Sequence, residues 1–149
     1  MSDQERIQLL LVAQLMACSG MLGVAWIVQL VTYPRFVDVD PQRWSTFHAH
    51  HSSDITLVVF PLMLLELGTS LVLAFDRPEG VGAALAWSSV GLAACAWLLT
   101  ALVSVPFHRR LADGPGPEVI RQLVRTSWLR TATWTVHALV AAAMLMLAS

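Results

Sequence analysis

Four stretches of this chain are long and apolar enough to cross a lipid bilayer, and this constrains the fold more than any motif does. They run from Ile7 to Val31, from Ile55 to Phe75, from Gly82 to Val105 and from about Leu129 to Leu147. The hydrocarbon core of a bilayer takes about 20 apolar residues in helical form. Inside it the backbone must satisfy its own N–H and C=O groups, which a helix does within one segment. The apolar character runs all round each stretch, so none reads as the amphipathic helix of a soluble domain.

The remaining composition agrees. Of 149 residues, 56% are hydrophobic and only 13% charged, about half the charge of a soluble domain. A formal net charge of -1 gives no basic field to attract nucleic acid. The expected fold class is all-α. It is a polytopic membrane protein, one domain over residues 1–149, arranged as an up-down four-transmembrane-helix bundle. The opening MSDQER is not a basic n-region, and the apolar run after it outlasts an h-region, so no cleaved signal peptide is expected.

Arginine alone sets the orientation, because the nine basic residues are all arginine. Arg6 and Arg77 fall on the side of the termini. Arg35, Arg43, Arg109, Arg110, Arg121, Arg125 and Arg130 fall on the other. The positive-inside rule then predicts a bacterial inner (cytoplasmic) membrane protein with both termini outside and the long loops in the cytoplasm.

The chain also reads as two similar halves. Val31-Thr32-Tyr33-Pro34 ends the first span and Val103-Ser104-Val105-Pro106 the third. Each proline is expected to stop its helix. Pro41 and Pro117 are expected to open the second and fourth helices. The helices would then cover about 7–31, 41–75, 82–105 and 117–147. At 1.5 Å per residue the second and fourth would be about 52 and 46 Å long, and so would extend into the cytoplasm. Small residues that let helices approach lie at Ser19 and Gly23, Ala84 and Ser88, and Gly91 and Cys95. The third span is therefore expected at the centre. Cys18 and Cys95 would be embedded at similar depth, either as small contact residues or as a redox pair.

Polar side chains gather at the arginine-rich end. His48 and His51 share a helix face, and Asp54 borders the same stripe. His50 points about 200° away from His48. His108 and Tyr33 fall at similar depth on other spans. Histidines from several elements, with a carboxylate, suit a metal, so His48, His51, His108 and Asp54 are the candidate ligands. A His-ligated transition metal, a haem or no cofactor at all are each compatible with them. Solvated histidines at the membrane surface are the plain alternative.

On the last span Arg121, Arg125 and Trp128 form one face, and Arg130, Trp134 and His137 the opposite one. One set must face the bundle. Arg130 is expected either to pair with Asp54 or to snorkel to the headgroups, with Trp128 and Trp134 as an aromatic belt. Glu66 is the single carboxylate in the middle of a span, where a charge costs about 2.5–3.5 kcal/mol. It is expected to be protonated or bonded to a neighbouring helix. It lies too far along the helix from His48 to share its site, and Pro61 between them permits a kink.

The segments Tyr33-Pro34, Phe47-His48-Ala49-His50-His51, Pro61-Leu62-Met63-Leu64-Leu65-Glu66, Val105-Pro106-Phe107-His108-Arg109-Arg110-Leu111 and Arg125 to Trp134 carry a resemblance. The chain resembles uncharacterised bacterial four-helix integral membrane proteins that are distantly similar to the anthrone-oxygenase-like family. It departs from them at Ser127, where relatives often carry Asn, and at His137, where they often carry Arg. The resemblance implies oxygenation of reactive polycyclic phenolics without an established cofactor.

Two functions follow as expectations. One is a small intramembrane oxygenase or oxidoreductase for an apolar phenolic or lipid-like substrate. Its catalytic residues would be His48, His51, His108, Arg130 and Tyr33, and its substrate contacts Arg125, Trp128, Trp134, Glu66 and His137. The other is a non-catalytic subunit that binds metal, haem or lipid, or assists transport or assembly. The expected partners are membrane lipid and an apolar small molecule, with self-association left open.

Overall fold

The computed structural model describes residues 2–148. Helix α1 is Asp3–Ile27, and it continues through a π-helical turn, Val28–Thr32, into a 3-10 turn, Tyr33–Asp38. Helix α2 is Trp44–Phe75. Helix α3, Ala83–Leu99, continues through a second π-helical turn, Thr100–Ser104, into α4, Val105–Ala112. Helix α5 is Pro117–Leu147. The described residues contain no strand. Four continuous helical runs, Asp3–Asp38, Trp44–Phe75, Ala83–Ala112 and Pro117–Leu147, are long and apolar enough to cross a membrane.

The four runs pack as a ring. Helix α1 lies beside α2 and α5, and α3 also lies beside α2 and α5; across the diagonals the runs meet only through side chains, such as Gln14 with Ser89 and Trp134 with Glu66. Buried positions alternate three and four residues apart: Leu11, Gln14, Cys18, Met21, Ala25 and Val28 on the first run, Ala86, Ser89, Ala93 and Ala96 on α3. This is the spacing of helices that interlock side chains along a seam. The inner faces mix small and polar residues such as Ala17, Ala93, Gln14, Glu66 and His137 with larger apolar ones such as Leu11, Met21 and Leu73. Other large apolar ones such as Leu9, Met16, Leu57, Leu98, Leu139 and Met146 point outward. That distribution suits lipid, where outward polar groups are costly and inward ones find partners.

Each end of the ring has its own core. At one end Leu11, Leu73, Ala86 and Met144 pack together, near the ion pair of Arg6 with Asp76. The turn there contains Gly80 at φ +78, where an added Cβ would fall 2.2 Å from the Leu147 carbonyl oxygen. At the other end Tyr33, Phe36, Trp44, Leu111 and Leu123 pack together.

Several expectations need correction. Pro34 and Pro106 do not stop their helices. Each lacks an N–H and its ring crowds the carbonyl four residues back, so the backbone widens ahead of it. Tyr33 N–H reaches Val28 O and Val105 N–H reaches Thr100 O, and the helical path goes on. Pro41 does not open α2; it sits in a turn, and α2 begins at Trp44. The third span is not central. Only 17% of its apolar window is buried, against 33% to 39% in the others. Ser19, Gly23, Ala84, Ser88, Gly91 and Cys95 all lie on exposed faces. Cys18 is buried and Cys95 exposed, both as free thiols; they are not a redox pair.

Candidate functional site

The two π-helical turns deliver the polar groups at the Tyr33 end. Tyr33 follows the first turn directly, and His108 stands four residues after Ser104, which closes the second. From α2 comes His48, its ring stacked on Trp44 with centroids 5.5 Å apart. Trp44 is fixed in turn by donating its ring N–H to Leu111 O at 2.6 Å. From α5 comes Arg130, half-buried.

These four side chains form one hydrogen-bonded chain. Arg130 Nη2 donates to the Tyr33 hydroxyl oxygen at 3.2 Å. Tyr33 lies 3.0 Å from His108 Nε2, and His108 Nδ1 lies 3.1 Å from His48 Nε2. A guanidinium can only donate, so the Tyr33 oxygen accepts from Arg130. That oxygen can also accept from an imidazole N–H, so two tautomer sets satisfy the chain; in the one that leads protons away from the cavity, Tyr33 donates to His108 Nε2 and His108 Nδ1–H donates to His48 Nε2.

Tyr33, His108 and Arg130 line a cavity of about 290 Å³ between the helices, whose walls are otherwise mainly apolar: Met21, Val28, Val59, Met63, Trp97 and Trp134 among them. The size is near the lower end of small-molecule sites. Thr100 and Ser104, from the second π turn, add hydroxyls. Two buried polar atoms beside this space have no partner, Arg130 Nε and Thr100 Oγ1. His108 and His48 also line a groove with Ser45, Ser52 and Arg109. The hydrogen-bonded chain therefore runs from the cavity to that groove.

The other residues singled out from the sequence are distributed differently. His51 lies against this cluster, its ring 5.9 Å from that of His108, but its Nε2 is buried without a partner. Asp54 is exposed. The donor set His48, His51, His108 and Asp54 is thus not assembled: among the described residues the group whose ligand atoms all lie within 4.8 Å is Cys18, Glu66 and His137. The expected Arg130–Asp54 pair is not formed either. Arg130 bonds Tyr33 and lies over the Trp134 ring, 5.6 Å from its centre.

On α5 the inward face is the one with Arg130, Trp134 and His137. Arg125 is exposed, and Trp128 packs edge-on against Trp26 on the outer surface, with centroids 5.7 Å apart. Neither reaches the cavity, so their expected substrate contacts are corrected. Trp134 does line it.

Glu66 and His137 are fully buried beyond the cavity floor. His137 Nδ1 lies 2.6 Å from Glu66 Oε1, close but without the alignment of a good hydrogen bond, so the contact is chiefly electrostatic. Trp134 Nε1 donates to Glu66 Oε2 at 3.1 Å. His137 Nε2 lies 2.8 Å from Ser89 Oγ. Gln14 Nε2 donates to Ser70 and Ser89, both at 2.8 Å, and Thr69 donates to Gln14 Oε1. Glu66 and His137 are not cavity residues, which corrects their expected role as substrate contacts.

Sequence reasoning missed Gln14, Ser70, Ser89 and Thr100. Gln14 had a signal, as an amide alone in a long apolar run. Nothing distinguished the two serines from serines that face lipid.

No family model matches this chain, and no curated protein or solved structure matches it.

Proposed function

We propose that this chain is a small intramembrane enzyme that takes an apolar molecule with a weakly acidic O–H into the cavity and removes its proton. The hydrogen-bonded chain at the cavity roof carries this reading. A substrate hydroxyl set against Tyr33 gives its proton to the tyrosine oxygen as Tyr33 passes its own to His108 Nε2. Arg130, with Nε unpartnered and Nη2 on Tyr33, holds the resulting anion. Charge stabilisation of this kind is strong where water is excluded. An imidazole with two ring nitrogens can take a proton at one and pass one on from the other, as a relaying base must.

The reaction class that the resemblance implies is oxygenation of a polycyclic phenolic compound. Deprotonation makes such a ring electron-rich enough to react with dioxygen. A ring methylene becomes a carbonyl with release of one water, CH2 + O2 → C=O + H2O. The oxidant is dioxygen, and the protein's part is binding, orientation and proton removal.

The spans alternate in direction across a bacterial inner membrane, with the site at the cytoplasmic side and α2 and α5 extending beyond the bilayer there. The arginine distribution supports this placement. An apolar substrate enters from the lipid.

Oxygen uptake tests the proposal. Full-length protein in liposomes is given a polycyclic phenol with an oxidisable ring methylene. The wild type is expected to consume dioxygen with release of ketone. His108→Gln and Tyr33→Phe are expected to lower the rate by about 10²- to 10⁴-fold. Uptake equal to protein-free liposomes would overturn the proposal and leave a non-catalytic membrane subunit.

A further inference from the structure

Below the cavity floor, three helices bring together a thiol, a carboxylate and an imidazole. Cys18 comes from α1, Glu66 from α2 and His137 from α5, and none of the three is exposed. Their ligand atoms all lie within 4.8 Å of one another. We propose that Cys18, Glu66 and His137 form a binding site for a divalent transition-metal ion of zinc-like character, independent of the chemistry proposed above.

The donor set fits such an ion. Zinc takes thiolate, imidazole and carboxylate together, and three protein ligands leave a fourth position open. Bundle cores build metal sites in this way, from inward side chains on facing helices.

Two of the ligands also have a partner on their far side. His137 binds through Nδ1 and, in the tautomer this requires, turns its Nε2–H to Ser89 Oγ, 2.8 Å away. Trp134 donates to the other carboxylate oxygen of Glu66 at 3.1 Å. Metal ligands are characteristically oriented by such outer hydrogen bonds.

The charges of the loaded site balance as well. Thiolate and carboxylate offset the two positive charges of the ion and a neutral imidazole adds none, so no net charge enters the apolar interior, where one is expensive.

Cys18 Sγ already lies 3.6 Å from Glu66 Oε1, a normal separation for two ligands of one ion. Glu66 Oε1 and His137 Nδ1 are 2.6 Å apart. With metal bonds of about 2.0–2.2 Å at tetrahedral angles they would stand roughly 3.3–3.6 Å apart, so the pair opens by nearly an ångström on binding.

Cobalt(II) titration of the full-length, chelator-treated protein in detergent tests the site. One equivalent is expected to raise a thiolate-to-cobalt charge-transfer band and to release protons. Cys18→Ser removes the band, while Cys95→Ser and His48→Ala keep it. Ser89→Ala weakens binding by about 10- to 100-fold. X-ray absorption of the zinc-loaded wild type, which needs no variant to fold, is expected to show one sulfur at about 2.3 Å. The absence of a charge-transfer band in folded wild type, a band that survives Cys18→Ser, or a zinc shell without sulfur would each overturn the proposal.

Discussion

At Glu66 a carboxylate is kept in the middle of an apolar span by an imidazole nitrogen, a tryptophan N–H and a thiol. These three polar neighbours lower the cost of burying it there. Glu66→Ala leaves His137 and the Trp134 N–H facing an apolar gap. Removal of one partner from a buried pair costs about 3–5 kcal/mol, and that loss is expected in reversible unfolding from mixed detergent micelles. A loss below about 1 kcal/mol, the range of exposed pairs, would contradict the pairing. Arg130 was read from the sequence as an inward cation in need of a carboxylate. It instead uses a tyrosine oxygen and a tryptophan face. Sequence spacing gives the depth and face of a residue. It does not choose among partners on other helices.

Among the elements, the two π-helical turns matter most to the site. Each sits ahead of a proline, Pro34 or Pro106, and both line the cavity or carry groups to it. The two halves repeat this device 72 residues apart (106 − 34 = 72). Glu66 and His137 are 71 apart (137 − 66 = 71), as are Met63 and Trp134 (134 − 63 = 71), so the buried pair joins corresponding places in the two halves. Pro106→Ala restores a backbone donor, and the second π turn is expected to relax to regular α-helix and to re-aim His108. Misplacement by about 1 Å lowers rates by about 10²-fold. Oxygen uptake should fall by that factor while the thermal midpoint in detergent changes little. An unchanged rate would contradict this role for the turn. The four spans and the end at which the polar groups gather were legible, since hydropathy and arginine placement depend on composition alone. The π turns were not: a proline announces a disturbed helix, and whether the chain stops or widens depends on what packs around it. Buried Tyr33 and Leu111 hold these runs in place.

For the whole molecule, the polar residues within the spans, Gln14, Glu66, Ser89 and His137 among them, turn inward, and the mainly apolar cavity lined by Arg130, Tyr33 and His108 lies near the arginine-rich end. If that end faces the cytoplasm, epitope tags at both termini are expected to be digested by protease added outside spheroplasts, and tags in the 113–116 loop to be protected. The reverse pattern would contradict the orientation. In the proposed function the cavity takes an apolar acid and holds it as an anion beside Arg130. The most direct measurement is the absorption spectrum of a chromophoric, membrane-soluble phenol titrated with acid in the presence of the protein. A neighbouring cation lowers an acid's pKa by about 1–3 units, so the bound phenol is expected to remain a phenolate at least one unit below its pKa in empty liposomes, and Arg130→Gln is expected to abolish that difference. A phenol that binds but stays neutral over that range, or a shift that persists in Arg130→Gln, would contradict the claim.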